Sequence, residues 1–296
     1  MSKYTVVGLG EVLWDVFPEG RRLGGAPANF AYHAHALGAE GRLVSRVGDD
    51  DAGREIIGRL VQLGIPAEHV SKDPAHPTGM VDIQLDSAGK PSYRIREGVA
   101  WDHIPYTAET ARLAVQADAV CFGTLCSRCE TSRSTIRQFL ENTAPDALRI
   151  LDINLRQDYY SNELIGDLLG HANVLKLSDD ELPVAAKLLG LPADEPGFFR
   201  AVSEAYQLSA VALTKGGEGS VLYAGGRTSA EPPGQGDIVD TVGAGDSFTA
   251  ALTLGLLKGW PLARINKLAN RTAAYVCGRS GATPDLPDHL RREFVE

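Results

Sequence analysis

The segment DTVGAGDSFTAALTLGLL, Asp240 to Leu257, sets three small residues between two aspartates and runs on into an apolar stretch. Phe248, Ala251, Leu252, Leu256 and Leu257 recur at the spacing of one helix face, which predicts a helix. Ile238 to Asp240 just ahead predicts the end of a strand, so Gly243-Ala244-Gly245 is expected to be a strand-to-helix turn. With little or no side chain at three successive positions, a ligand can approach the backbone closely. The unpaired N–H groups and the dipole of the helix start favour an anion there. Asp246 then admits two readings. It is a helix cap, worth about 1 kcal/mol, or a base that takes a proton from a hydroxyl attacking a phosphate held by the turn. The second reading is phosphoryl transfer.

Outward from this segment, apolar strand-like runs alternate with helical patterns. TVVGLG is followed by a helix through Ala26 to Leu37, and RLVSRVG by one through Ile56 to Leu63; DAVCFG, LRILDIN, NVLKLS and SAVALT add further strands. Strands separated by helices imply right-handed crossovers and a parallel sheet covered on both faces, a doubly wound α/β fold. Two stretches depart from that rhythm. EVLWDVFPEGRRLGG carries a hairpin-like pair around Pro18-Glu19-Gly20, and TGMVDIQLDSAGKPSYRIREGVAW two alternating runs joined at Ser87-Ala88-Gly89-Lys90. Residues 11–23 and 78–101 are therefore expected to form a small β-sheet lid, with residues 1–10, 24–77 and 102–296 as the α/β core.

Composition narrows the partners. With 296 residues, 44% hydrophobic and 23% charged, the chain is expected to be a soluble globular protein. A formal charge of −9 argues against nucleic acid and against an anionic membrane surface, since both call for a basic face. No apolar run approaches a membrane span, and MSKYTVVGLGEVLWD lacks the pattern of a signal peptide, so the expected location is the cytoplasm. Cys121, Cys126 and Cys129 fall at an iron–sulfur spacing, with Cys277 downstream. Cys121 lies in a strand pattern and Cys277 in a helix pattern, however, and the four are read as reduced structural thiols.

Familiar nucleotide motifs fail. GLGEVL opens like a dinucleotide fingerprint, but Leu13 stands at the third glycine's place, and no P-loop occurs. GGAPANFAYHAHALG (Gly24 to Gly38), TKGGEGS (Thr214 to Ser220) and DTVGAGDSF (Asp240 to Phe248), in that order, resemble the ribokinase-like (PfkB) carbohydrate kinases over essentially the whole chain. The resemblance implies an α/β core with a β-sheet lid, ATP and magnesium as cofactors, and a sugar hydroxyl as phosphoryl acceptor. It further implies Asp246 as catalytic base and the amides of Gly243, Ala244 and Gly245 as the anion hole. Asp240 matches a residue that orders this loop beside a monovalent cation, K+ among them. Asp15 and Asn29 match sugar-binding positions, with Gly24 and Gly25 giving the sugar access to the backbone. Thr214, Gly216 and Gly219 match a segment lining the ATP site, and Asn270 a position near the adenine. LKLSDDEL resembles the N-x-x-E element, with Ser178 in place of its Asn and with Glu181 retained to organise magnesium through water.

GGAPANFA, GEVLWD and DINLR look more like fructokinases than ribokinases, and Arg156 suits a sugar or phosphate oxygen. Free D-fructose is thus the first expected acceptor. Ribose, 2-keto-3-deoxygluconate and a nucleoside remain alternatives within the same chemistry, and a non-catalytic sugar or nucleotide sensor is the alternative of another class. Arg94, Arg96 and Trp101 are candidates to cover the sugar, and exposed lid edges suit pairing into a homodimer.

Overall fold

The computed structural model describes residues 4–85 and 91–295. In chain order the elements are β1 (Thr5–Leu9), β2 (Leu13–Phe17), β3 (Gly20–Gly24), α1 (Ala26–Ala36), β4 (Glu40–Gly48), α2 (Asp51–Gln62), β5 (Val70–Asp73), β6 (Met80–Leu85), β7 (Pro91–Ile95), α3 (Ala108–Gln116), β8 (Ala119–Gly123), α4 (Glu130–Glu141), β9 (Leu148–Asp152), α5 (Asn162–His171), β10 (Val174–Ser178), α6 (Glu181–Leu189), α7 (Glu195–Tyr206), β11 (Ala210–Thr214), β12 (Ser220–Ala224), β13 (Arg227–Glu231), α8 (Ala244–Leu257), α9 (Leu262–Cys277) and α10 (Asp288–Val295). The expected joint at Ser87-Ala88-Gly89-Lys90 lies outside the described residues.

Nine strands form the main sheet in the order β13-β12-β11-β10-β9-β8-β1-β4-β5. From β11 to β5 every neighbouring pair is parallel, and β12 and β13 add an antiparallel edge. Alternation along the strands explains the two helix layers. Val6, Cys121, Ile150 and Val174 pack with α8, α9 and α10 on one face, whereas Val7, Val120, Leu151 and Leu175 pack with α3 to α7 on the other. Both faces are therefore buried, as a parallel sheet requires. Capping side chains start the helices: Asp50 accepts from Gly53 N, Ser161 from Leu164 N and Asp194 from Gly197 N.

Strand order reverses at β1, which has β4 on one side and β8 on the other. In such sheets ligands bind outside the carboxyl ends of the strands at that switch point. A second sheet, ordered β3-β2-β6-β7, is built from the two departing stretches. Its β2–β3 and β6–β7 pairs are antiparallel and its β2–β6 pair is parallel. The segment bearing β6 and β7 leaves and rejoins the core at nearly one point. Ala100 N donates to Pro77 O at 2.8 Å, and the rings of His76 and His103 stack with centroids 3.8 Å apart.

One sequence expectation fails. Ile238 to Asp240 is not a strand; the residues after β13 run as a loop to α8, with Ile238 71% and Val239 64% exposed. The amides of Val239 and Asp240 both donate to Cys277 O, at 2.8 and 3.0 Å, so the end of α9 takes the place of a strand neighbour.

Candidate active site

Gly243 precedes α8 as its N-cap in the left-handed region, φ 80°. A Cβ there would sit 2.7 Å from Ala282 Cα and 2.9 Å from its carbonyl carbon, so only glycine lets the turn rest on residues 281–284. That support is itself fixed. His33 donates its Nε2 hydrogen to Ala282 O at 2.8 Å, Tyr32 Oη donates to Pro284 O at 3.0 Å, and Gly281 N donates to Asp240 Oδ2 at 3.0 Å. Burial holds His33 neutral, lowering its pKa to about 4. In the first turn Ala244 N donates to Thr241 O at 3.3 Å and Ser247 N to Gly243 O at 2.9 Å, while the N–H groups of Gly245 and Asp246 have no carbonyl behind them within the helix.

Asp246 lies in that first turn and does not cap the helix, because the N-cap is Gly243. Its Oδ2 accepts from Asn29 Nδ2 at 2.8 Å, joining α8 to α1. Burial raises the Asp246 carboxyl to about 6, with the Asp152 charge adding to the rise and Asn29, Lys176 and Arg156 opposing it. Asn29 is buried and likewise caps nothing; its Oδ1 has no hydrogen-bond partner. With Nδ2 given to a carboxylate, that oxygen keeps its capacity to accept a hydrogen bond.

Asp15, on β2, pairs with Arg22 of β3, and its carboxylate leans against Gly24, where a Cβ would strike Oδ2. Burial raises the Asp15 carboxyl to about 6, and the Arg156 charge opposes the rise. Gly25, at φ 110°, brings the start of α1 against the backbone of Glu11 and Val12, where a Cβ would strike both. Arg156 is exposed, and its charge acts on Glu11, Asp15 and Asp246 together.

Two acidic side chains at this centre escaped the sequence reading. Glu11, directly after β1, is 4% exposed, and burial raises it to about 7 against its own and Ala26's backbone N–H groups and the Arg156 charge. Asp152, at the end of β9, is buried, and burial raises its carboxyl despite the Lys176 ammonium beside it. Glu11, Asp152, Asn154, Asp246 and Thr249 line one cavity of about 10 Å³, the size of a single water. The signal was present: a lone charge inside an apolar run, GLGEVLW for Glu11 and LRILDIN for Asp152.

The other predicted positions gather at the ends of β10 and β11. Ser178 pairs with Thr214 in the sheet register. Ser178 N donates to Glu181 Oε2 at 2.8 Å while Glu181 N donates to Ser178 Oγ at 3.3 Å; Leu155 N donates to Glu181 Oε1 at 2.8 Å. Each Glu181 oxygen keeps a second lone pair, so the carboxylate fits a role toward a hydrated magnesium ion. Gly216 and Gly219 hold the β11–β12 turn at positive φ, and Gly219 packs on Glu231 and Pro232. Those two residues line a groove of about 430 Å³ with Asn270, Lys267 and Tyr275. Asn270 Nδ2 donates to Ser220 Oγ at 2.6 Å, so the groove wall is tied to β12.

Asp240 also accepts from Val242 N at 3.1 Å, and Arg22 Nη1 of β3 lies 3.6 Å from its Oδ2. Of the three residues considered to cover the sugar, one is closed off from it. Trp101 is fully buried, with the Arg128 guanidinium 4.1 Å over its ring, so it is a core side chain. Arg96 is held by Asp82 through two hydrogen bonds of 2.9 and 2.7 Å. Arg94 lies exposed on β7. The four cysteines are free thiols, Cys121 on β8 and Cys277 at the last residue of α9. No described helix is long and apolar enough to cross a membrane.

The family described as pfkB family carbohydrate kinase matches residues 10–289. A fructokinase of Klebsiella pneumoniae is 31% identical over 97% of this chain and 98% of the relative. An ATP-dependent 6-phosphofructokinase of Thermoanaerobacterium thermosaccharolyticum is 27% identical over 97% and 92%. Among solved structures, the uncharacterized sugar kinase of Pyrococcus horikoshii in complex with ATP superposes with a TM-score of 0.83, at 26% identity, over 98% of this chain and 99% of that one.

Proposed function

This chain belongs to the pfkB family of carbohydrate kinases, sugar kinases that use ATP, and on that premise we propose that it phosphorylates a hydroxymethyl group of D-fructose. The observation that carries the assignment of roles is the Asn29–Asp246 pair. A buried amide donates to the carboxylate and leaves its own oxygen without a partner, so one sugar hydroxyl can give its proton to Asp246 while a second donates to Asn29 Oδ1. Asp15 takes further hydroxyls, and Gly24 and Gly25 keep side chains out of the way.

The γ-phosphoryl group is received by the amides of Gly243, Ala244 and Gly245 at the start of α8, where the helix dipole favours the charge that develops. Asp246 accepts the hydroxyl proton as the oxygen attacks. Phosphoryl transfer asks the protein chiefly for positioning and charge stabilisation, and one base with oriented N–H donors meets that demand. Bound magnesium would neutralise the phosphate oxygens, and Glu181 would orient its water shell. Asp240 steadies the loop and would sit beside a monovalent cation such as K+. The groove at Asn270 takes the nucleotide base, and Ser178, Thr214, Gly216 and Gly219 border the phosphates. The second sheet closes over the sugar as a lid.

Arg156 favours a second acceptor. Its exposed guanidinium beside Asp15 suits an anionic sugar, and one relative is a 6-phosphofructokinase. Coupled ADP release with fructose, fructose 6-phosphate, ribose, 2-keto-3-deoxygluconate and adenosine separates the readings. Fructose is expected to give the highest kcat/KM, and a tenfold preference for fructose 6-phosphate would replace it.

A further inference from the structure

The proposed chemistry gives no task to a buried ion pair directly behind the start of α8. Lys176 stands on β10, a central strand, with 7% of its surface exposed. Its Nζ lies 3.1 Å from Asp152 Oδ1. A buried pair of this kind is rarely retained for stability alone, because taking both charges out of water costs about as much as their attraction returns. Its surroundings are specific. Lys176 Nζ is 3.2 Å from where a Cβ on Gly245 would be, so the ammonium lies directly beneath the residue preceding Asp246. The other carboxylate oxygen, Asp152 Oδ2, accepts from Thr249 Oγ1 at 3.2 Å, and the same hydroxyl lies 2.9 Å from Gly245 O. The pair thus touches the first turn of α8 twice, from below at Gly245 and through Thr249 one turn later.

We propose that Lys176 and Asp152 are a positioning pair for phosphoryl transfer: Asp152 fixes the first turn of α8 through Thr249, and Lys176 lends its charge to the Gly243–Gly245 turn and to Asp246. This rests on the assignment of Asp246 as the base. Both act through the helix start, Asp152 from the wall of the small cavity that it shares with Asp246. The turn has an ammonium behind it as well as a dipole, and Gly245 is small because a side chain would push that ammonium away.

The charges facing Asp246 come from each packed element. Glu11 follows β1, Arg156 follows β9, and Asp152 and Lys176 end β9 and line β10, while Asn29 on α1 is neutral. Glu181 on α6 acts on Asp152 and Lys176. Removing the Lys176 charge therefore disfavours ionised Asp246, and removing the Asp152 charge favours it. These are opposite effects from two members of one ion pair.

The test is the pH dependence of kcat/KM for the sugar at saturating ATP, in wild type, Lys176→Met, Asp152→Asn and the double variant. The acid limb is expected to move up by about one pH unit in Lys176→Met and down by a similar amount in Asp152→Asn, as unit charges at this range act. At pH 6 the upward shift reads as an approximately 5-fold loss. The double variant is expected to return to within about 0.3 unit of wild type, since the two charges act in opposite senses. It keeps the comparison with Asp152→Asn available even where Lys176→Met does not fold. Limbs that stay in place, or move in the same direction, make the pair simple filling and overturn the proposal. A wild type that transfers no phosphoryl group to any sugar instead defeats the assignment of the active centre itself.

Discussion

Replacing Gly243 by alanine tests whether the turn ahead of α8 is set by its support. Two costs can be separated. Holding alanine in the left-handed region costs about 1–2 kcal/mol. The new Cβ also meets the backbone of Ala282, 2.7 Å from its Cα and 2.9 Å from its carbonyl carbon, against ordinary contacts of about 3.5–4 Å. Backbone cannot swing aside as a flexible side chain can. Residues 281–284 can retreat only by loosening bonds from His33, Tyr32 and Asp240, each worth about 1 kcal/mol and more where a buried group is left unpaired. The total is about 3–5 kcal/mol. Gly259→Ala is the control, because Gly259 has φ 63° with nothing within 4 Å of its Cβ position, so it bears the conformational cost alone. In a chain of this size about 1 kcal/mol lowers Tm by roughly 2 °C. Gly259→Ala is therefore expected to lower Tm by about 2–4 °C with kcat unchanged. Gly243→Ala is expected either to lose more Tm or to relax by moving the turn. A shift of about 1 Å in the donors costs on the order of 100-fold in kcat. Scanning calorimetry and coupled ADP release measure both. A Gly243→Ala enzyme with the Tm of Gly259→Ala and kcat within threefold of wild type refutes the argument.

Asp246→Asn is expected to lower kcat by about 10² to 10⁴ while sugar and ATP still bind, checked by turnover and calorimetric titration. The same variant should be more stable above pH 6. A carboxyl raised from 3.8 to about 6 holds more protons folded than unfolded between those values, so stability falls as pH rises through that window. The gain is at most about 3 kcal/mol, and less because Asp246 is only partly buried. Glu11→Gln extends the linkage: with the folded pKa raised from 4.5 to about 7, the variant should match wild type in Tm at pH 4 and exceed it at pH 8, by about 3 kcal/mol in stability. Equal Tm differences at both pH values would show that Glu11 does not carry the buried proton. Asp15→Ala is expected to raise KM for the sugar at least tenfold and KM for ATP less than twofold; equal effects would remove Asp15 from the sugar site.

Much of the fold is written in patterns that local physics can decode. Doubly buried strands such as AVCFG and SAVALT leave few alternatives to a parallel sheet, and GGAPANFA and DTVGAGDSF mark two helix starts brought together by α1 packing on α8. The IVD segment misled because β-branched apolar residues favour strands only where a partner edge is available. Here the carbonyl of Cys277 captures both amides, and the side chains are left to solvent. Lys176 and Glu11 were missed for a different reason. Their partners, Asp152 and the start of α1, are distant in sequence, so a charge inside an apolar run did not show what it faced until the sheet order placed it inside. Asn29 illustrates the same limit, since its unpaired oxygen becomes visible only once Asp246 has claimed its nitrogen.

The clasp between Pro77 and Ala100 bears on how such a molecule can diversify. Because the strands β6 and β7 depart from and return to almost the same place, the length of chain between them can change without moving those ends. Doubling such an excursion adds only about 0.6 kcal/mol of closure entropy. Its docking edge, β2, pairs with β6 over Trp14 to Val16, and Val81, Ile83 and Ile95 are the side chains that seat the excursion on the core with Leu13. Descendants can therefore lengthen, shorten or rewrite the part proposed to face the acceptor while inheriting the phosphate-handling centre intact. New substrates would become accessible by exchanging one segment whose two ends meet at a single place.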